Sequence, residues 1–291
     1  MSIRERIYRT HAIILRRRDQ GDADRILTLF TPDLGKIEVI AKGVRKTSSK
    51  KAGHVELFCH SSLMIAQART WDIVTEVVTV ESFRHLRGDL DAIGRASFLS
   101  ELLDAFCKDS DDLRPLWDLS LLTLRELDAD AQQPGRIDRQ VLTQWCVLHL
   151  LSVTGFQPQI FRCLGCDNEL TPVTNFLSLN EGGVFCPECA PHQQGAEALE
   201  PDVLKVLRFL QSQPWAEVRR LHVRSTIMRR VENILHRYLL FVLERHLKST
   251  DFLRRVQNDP RLASESRPLA PTQQATANEP KSENERTNAD S

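Results

Sequence analysis

No run of eighteen apolar residues occurs in this chain, and about that length is needed before a helix can span a membrane. The opening stretch, Met1 to Arg9, is charged where a secretory leader would carry an apolar core. A cytoplasmic protein with reduced thiols and no membrane partner is therefore expected. Gly-rich phosphate loops of the P-loop or dinucleotide type are missing, as is Gly-x-Ser-x-Gly, which removes the motif support for those nucleotide-binding and acyl-transfer chemistries. Internal repeats are also absent. Net charge is formally zero, with 39 basic and 39 acidic residues.

That zero hides an asymmetry. Residues 1 to 55 hold thirteen Lys and Arg against six acids, a net +7, with compensating acid in Asp109 to Asp112 and Glu126 to Asp130. A local positive excess of this kind points to a polyanion partner. It is densest in Lys42-Gly43-Val44-Arg45-Lys46-Thr47-Ser48-Ser49-Lys50-Lys51-Ala52-Gly53, five bases and no acid between two predicted strands. Small and hydroxylated residues between the cations let backbone N–H and side-chain O–H groups reach phosphates, while the cations displace condensed counterions. Arg16-Arg17-Arg18 adds to this. Aromatics before Phe83 are limited to Tyr8, Phe30, Phe58 and Trp71, so phosphate contact is expected to outweigh stacking on bases and binding to tolerate sequence.

At 291 residues the chain is long enough for more than one domain. From Tyr8 to Val80 apolar residues come in short runs: Ala12 to Leu15, Ile26 to Phe30, Ile37 to Ala41, Val55 to Cys59 with Leu63 to Ala66, and Ile73 to Val80. This spacing suits a small barrel of about five strands. A hairpin is expected at Thr31-Pro32-Asp33-Leu34-Gly35, where Pro fixes one φ and Gly takes the left-handed position, and another at Arg69 to Asp72. After Phe83 the period becomes helical, with stripes over Ile93–Phe106, Leu113–Leu127 and Ile137–Leu151, then Pro201–Gln211 and Ser225–Lys248. Beyond Pro260 no aromatic remains, and the polar composition predicts a disordered tail at 259–291.

Between the helices lie Cys163, Cys166, Cys186 and Cys189, two C-x-x-C knuckles nineteen residues apart. That is a spacing at which two knuckles share one tetrahedral zinc, with the hairpin Thr171 to Gly183 returning the chain. Gly165, Gly182 and Gly183 are expected to supply positive-φ backbone. Four thiolates complete the coordination, so the zinc is expected to be structural. Cys59, Cys107 and Cys146 sit among apolar residues and read as buried thiols rather than nucleophiles.

The stretch Ala12 to Lys36, with Ala41-Lys42-Gly43-Val44-Arg45, resembles the start of the bacterial RecO family of DNA-repair proteins, and the order of barrel, helices, ribbon and further helices resembles it to about residue 250. The resemblance implies an α+β, multi-domain chain: an OB-fold barrel at 1–82, then an all-α domain at 83–258 with the four-cysteine zinc ribbon inserted at 161–190. It also implies a non-enzymatic protein that binds single- and double-stranded DNA and anneals complementary strands. With RecR, and RecF, such a protein promotes loading of RecA on DNA coated by single-stranded DNA-binding protein, whose acidic C-terminal tail it recognises. Carried over, the DNA-facing bases are Arg16, Arg17, Arg18, Arg25, Lys42, Arg45, Lys46, Lys50 and Lys51. The basic stretch Arg219, Arg220, Arg224, Arg229 and Arg230 is the candidate dock for the acidic tail.

Two other classes compete. A zinc-ribbon adaptor in transcription or RNA metabolism fits the cysteines and would prefer RNA. For an enzyme, Asp19, Asp22 and Asp24 would serve a metal-dependent nuclease, and His54-Val55-Glu56 with Cys186-Pro187-Glu188-Cys189 superficially matches a zinc deaminase. The deaminase pattern fails because Phe185 stands where its Pro belongs, and Cys163 and Cys166 would be left over.

Overall fold

The computed structural model describes residues 7–107 and 113–243; the acidic stretch 109–112, the end of the helix expected to reach Lys248 and the tail at 259–291 lie outside them. The first five strands are β1 (Ile7–Gln20), β2 (Asp24–Thr31), β3 (Gly35–Ala41), β4 (His60–Ala66) and β5 (Asp72–Glu81), and they close into a barrel in the order β1-β2-β3-β5-β4. β1 is long enough to serve two neighbours: Ile7 to Ile13 pair with β4, and Ile13 to Gln20 pair with β2 across a register shift between Ile14 and Arg16. The ring closes through two parallel pairs, Val39 with Asp72 and Ile40 with Ile73.

Alternation along β1 and β2 explains why their apolar residues read as runs. Ala12, Ile14, Leu27 and Leu29 fill the barrel, together with Val39, Leu63, Ile65 and Val74. Ile13, Leu15 and Phe30 point outward into a second, larger core shared with the helices. Both faces are buried, so no polar alternation marks them. The β2–β3 turn forms as expected: Gly35 has φ +65°, and Thr31 Oγ1 both donates to Gly35 O at 2.9 Å and accepts from Leu34 N at 3.0 Å. A Cβ at Gly35 would meet the Leu113 side chain at 3.1 Å.

Val55 to Cys59 is not a strand. Val55 enters the barrel core as a plug, and Phe58 takes φ +66° so that its N–H reaches Ile14 O at 2.8 Å while Ile14 N donates to Cys59 O at 3.1 Å. The loop thus stitches the β1 irregularity before β4 begins.

The helical body comprises α1 (Leu90–Phe106), α2 (Arg114–Gln132), α3 (Arg139–Val153), α4 (Pro201–Ser212), the short α5 (Trp215–Val218) and α6 (Ser225–Leu243). Asp89 and Asp138 cap α1 and α3, accepting from Ala92 N at 2.9 Å and Gln140 N at 2.8 Å. Around those caps sits a buried charge network. Arg139 grips both Asp89 oxygens at 2.8 and 2.9 Å and Asp130 at 2.6 Å, while Arg95 pairs with Asp91 at 2.8 Å. Fork geometry satisfies each guanidinium at a site where an unpaired charge would be costly. Among the described residues no helix is long and apolar enough to cross a membrane.

Barrel and helices meet on a polar chain. His11 Nδ1 lies 3.0 Å from His60 Nε2, His60 Nδ1 lies 3.0 Å from Glu81, and Arg125 of α2 forks onto Glu81 with both bonds at 2.7 Å. Trp117 of α2 presses edge-on to His60 at 5.3 Å. An ionised Glu81 only accepts, so His60 Nδ1 donates to it, leaving Nε2 to accept from His11. Burial lowers the His60 pKa below 6.5, outweighing the opposing pull of Glu81, and Arg125, with His60, holds Glu81 below 4.5. In the unfolded chain His60 takes a proton more readily, so stability present above about pH 6.5 is lost as pH falls below it; Glu81 acts in the same direction at more acidic pH. The melting temperature should therefore drop between pH 7.5 and 5, and by less in His60→Gln, as thermal scans across that range would register.

Candidate nucleic-acid interface and metal centre

Strand pairing brings four chain segments to one rim of the barrel. Gln20 pairs with Asp24 and Asp19 with Arg25 at the β1–β2 turn, and Arg25 pairs with Ala41, the residue before Lys42. The parallel closure then sets the β4–β5 loop, ending at Trp71, beside the end of β3. The basic loop is tied to this rim: Gly43 N donates to Asp24 Oδ1 at 2.7 Å and Arg45 N to Ala23 O at 2.9 Å.

The nine candidate bases divide by what they touch. Lys42, Lys46 and Lys50 are exposed and have no carboxylate partner among the described residues. Arg25 and Arg45 share Asp19, at 2.9 and 3.4 Å, and Arg18 reaches Glu38 at 3.5 Å. Exposed pairs of this kind are worth only ~0–1 kcal/mol, so a phosphate can replace the carboxylate at little cost. Lys51 donates to Val74 O at 3.2 Å. Arg17 turns to Glu56 at 2.6 Å with only a fifth of its side chain exposed, and Arg16 reaches across to Asp104 of α1 at 3.3 Å. These last two are thus engaged with carboxylates of α1 and of the loop before β4.

Of the three acids weighed for a nuclease, Asp22 is exposed and the other two are engaged. Asp19 binds two arginines, with Arg25 foremost in holding its carboxyl below the usual range, and Asp24 anchors the loop. His54 bonds Thr79 at 2.9 Å and Glu56 holds Arg17, so neither joins the cysteines. Sequence reading passed over Arg69 as a site residue and took Trp71 only as one of a few aromatics. Both line a cleft of about 430 Å³ with Gln20, Ile40, Lys42 and Ile73. The short loop after an apolar strand carried the one available signal, a base and an aromatic two residues apart.

The cysteines assemble as expected. All four sulfurs lie within 4.8 Å of one another, and the Cys166 and Cys186 sulfurs are 3.9 Å apart. Zn–S bonds of about 2.3 Å would place tetrahedral sulfurs about 3.8 Å apart, so the donor set fits such an ion. Gly165 N and Cys186 N donate to Cys163 Sγ at 3.3 and 3.2 Å. Burial raises the Cys163 thiol, but backbone N–H groups of Cys186, Cys166 and Gly165 outweigh it and hold the pKa near 6. Of the three glycines expected at positive φ, only Gly182 has it, at +71°. Gly165 and Gly183 are needed for close approach instead: a Cβ would fall 2.9 Å from Cys189 Sγ and 2.6 Å from Gln159 O, respectively.

A three-stranded sheet carries the knuckles: β6 (Asn175–Ser178) lies between β7 (Gly183–Phe185) and β8 (Glu197–Leu199). β8 was not anticipated, being three residues long after the second knuckle. Arg208 of α4 pins this sheet's approach, donating to Ile160 O at 2.8 Å and Leu170 O at 3.1 Å. The remaining thiols, Cys59, Cys107 and Cys146, are buried, and burial pushes Cys107 to about 12 and Cys146 to about 11.

Comparison with known proteins gives the chain's family. A family model described as Recombination protein O N terminal matches residues 1–83, and one described as Recombination protein O C terminal matches residues 87–251. A protein named DNA repair protein RecO from Roseiflexus sp. is 40% identical over 251 residues, 86% of each chain. Its namesake from Dehalococcoides mccartyi is 36% identical over 242 residues, 83% of this chain and 93% of that one. The counterpart from Pelotomaculum thermopropionicum is 33% identical over 255 residues, 88% and 96% of the two chains. With both halves matched in order and relatives similar along most of their length, the chain belongs to the RecO family.

Proposed function

We propose that this protein is a non-enzymatic mediator of DNA repair and homologous recombination that holds single- and double-stranded DNA by phosphates on the barrel rim and anneals complementary strands. The observation that supports this reading is the basic loop tied to the barrel rim through Gly43 and Arg45, its Lys42, Lys46 and Lys50 exposed and without a carboxylate partner among the described residues, beside the exchangeable pairs of Arg18, Arg25 and Arg45. Annealing follows from neutralising two strands at once, since their mutual repulsion is what keeps them apart. The four-cysteine centre holds one structural Zn²⁺: thiolates select it, and a full sulfur shell leaves no position for substrate. Its formal charge of −2 makes it a poor attractant for phosphate.

Family membership supports the partners RecR and RecF, RecA loading on DNA coated by single-stranded DNA-binding protein, and action at the nucleoid. For the acidic tail of that coating protein, a groove of about 610 Å³ between α4 and α6 is the dock we favour. Its apolar lining includes Val206, Phe209 and Ile227; Lys205, Arg208 and Arg224 supply positive charge, with Arg224 paired at 2.8 Å to Asp202, an exposed acid of the same lining that a tail carboxylate would replace. Of the expected basic stretch only Arg224 lines it; Arg219 reaches Glu126 at 3.9 Å and Arg230 reaches Glu200 at 3.5 Å.

The test is annealing of complementary oligonucleotides followed by fluorescence, with naked strands and with strands coated by single-stranded DNA-binding protein. The protein should accelerate both, and replacing Lys42, Arg45, Lys46, Lys50 and Lys51 by Ala should slow both. No acceleration over the spontaneous rate would refute the reading.

A further inference from the structure

Beside the lysines, the rim holds an aromatic wall that phosphate binding does not use. The cleft formed by Gln20, Ile40, Lys42, Arg69, Trp71 and Ile73 has a volume of about 430 Å³, within the ~300–1,000 Å³ of small-ligand pockets. Its two isoleucines and the indole make the interior apolar. Lys42 and Arg69, neither with a carboxylate partner among the described residues, stand at its edge. Outside the cleft, the Arg18 guanidinium lies over the Trp71 ring at 5.1 Å from its centroid. This cation–π contact steadies the ring, while Arg18 contributes nothing to the cleft lining.

The ligand chemistry follows from this mixture. A phosphate needs cations and donors but gains nothing from an indole and two isoleucines. A flat, apolar-faced ring attached to an anionic chain uses every part of the site. Lys42 belongs to both the basic loop and the cleft, so a strand running along the lysines reaches the cleft without a break. We propose that this cleft takes an unpaired nucleobase from the bound single strand and stacks it on Trp71, with Lys42 and Arg69 on the flanking phosphates. The inference rests on the phosphate-binding reading of the same rim. It changes the expectation drawn from scarce aromatics: one aromatic, placed by the β3–β5 pairing, is enough to distinguish a strand with bases from one without.

Two consequences separate stacking from charge. A duplex keeps its bases inside the helix and offers none to the cleft, whereas any base has a face to stack. Trp71 is also the informative fluorophore, because Trp117, Trp145 and Trp215 are 8%, 5% and 5% exposed and Trp71 alone of the four lies at the rim.

The experiment titrates the full chain with an oligothymidylate, an abasic oligonucleotide of equal phosphate count and a duplex, reading intrinsic fluorescence and affinity at several salt concentrations. The oligothymidylate should quench fluorescence and bind on the order of 5- to 150-fold more tightly than the abasic strand, the range for one base stacked on an aromatic. The duplex should leave fluorescence unquenched. Trp71→Ala should abolish the preference for bases while leaving the salt slope unchanged, and Trp71→Phe should restore the preference without the quench. Equal affinity for the thymidylate and abasic strands, with a normal salt slope, would overturn the stacking proposal and leave phosphate binding standing. Weak, salt-independent binding of both would overturn the two together.

Discussion

Replacing Cys163 by Ser is expected to release the metal and unfold the ribbon, the largest loss of stability that a single change at the described sites should produce. Cys163 is the most buried of the four ligands, 2% exposed, and its sulfur accepts backbone N–H groups from Gly165 and Cys186. A serine hydroxyl is shorter, harder and uncharged near neutral pH, so three thiolates remain around an incomplete site. In zinc-finger peptides apparent metal binding amounts to roughly 10–16 kcal/mol and is linked to folding. Part of the support from a bound metal would reach the helices here, because Arg208 bonds the carbonyls of Ile160 and Leu170 beside the knuckles. Metal content measured with a chromophoric chelator should fall to zero, and the melting transition should split or shift down. Salt-dependent binding of single-stranded DNA should survive, since the barrel interior has its own core. Full metal content with an unchanged melt would contradict this account, as would DNA binding lost in step with the metal.

Most of the barrel was legible because local chemistry dictates it. Pro32, Asp33 and Gly35 mark the β2–β3 turn, and Gly35 does take φ +65°. The long helices were legible from apolar spacing, and the four-cysteine cluster from cysteine spacing alone. What escaped notice depends on distant parts of the chain. Phe58 breaks the expected strand because its backbone serves the β1 irregularity at Ile14, a demand made forty-four residues earlier in sequence. Short β8 and α5 have too few residues to show a period. Arg69 and Trp71 meet Lys42 only through the parallel pairs Val39–Asp72 and Ile40–Ile73, which no local pattern announces. Equally, charge counting could not show that Arg16 and Arg17 find carboxylate partners at Asp104 and Glu56.

That sorting of the bases yields the second large effect. Lys42, Lys46 and Lys50 have no ion pair to give up among the described residues, so each released counterion contributes its full share on binding. At about 0.7 per contact on a single strand, removing these three should flatten the slope of log K against log salt by ~2.1. Extrapolated from 1 M salt, where counterion release contributes nothing, this corresponds to roughly a hundredfold weaker binding at 0.1 M. Arg45 and Lys51 bring the five-residue change to at most ~3.5. Their protein partners, Asp19 and the Val74 carbonyl, offset part of what they gain from phosphate. Substituting Arg16 and Arg17 should alter the slope less per residue and lower stability more, because their partnerships lie within the protein.

The most direct test of the central claim is the affinity for a labelled single strand measured from low to high salt, for the natural sequence and for the variant with Lys42, Lys46 and Lys50 changed to Ala. If the barrel rim holds DNA by its phosphates, the variant's slope should be shallower by about 2 with an unaltered melting temperature. The same slope in both proteins would place DNA elsewhere and contradict the account.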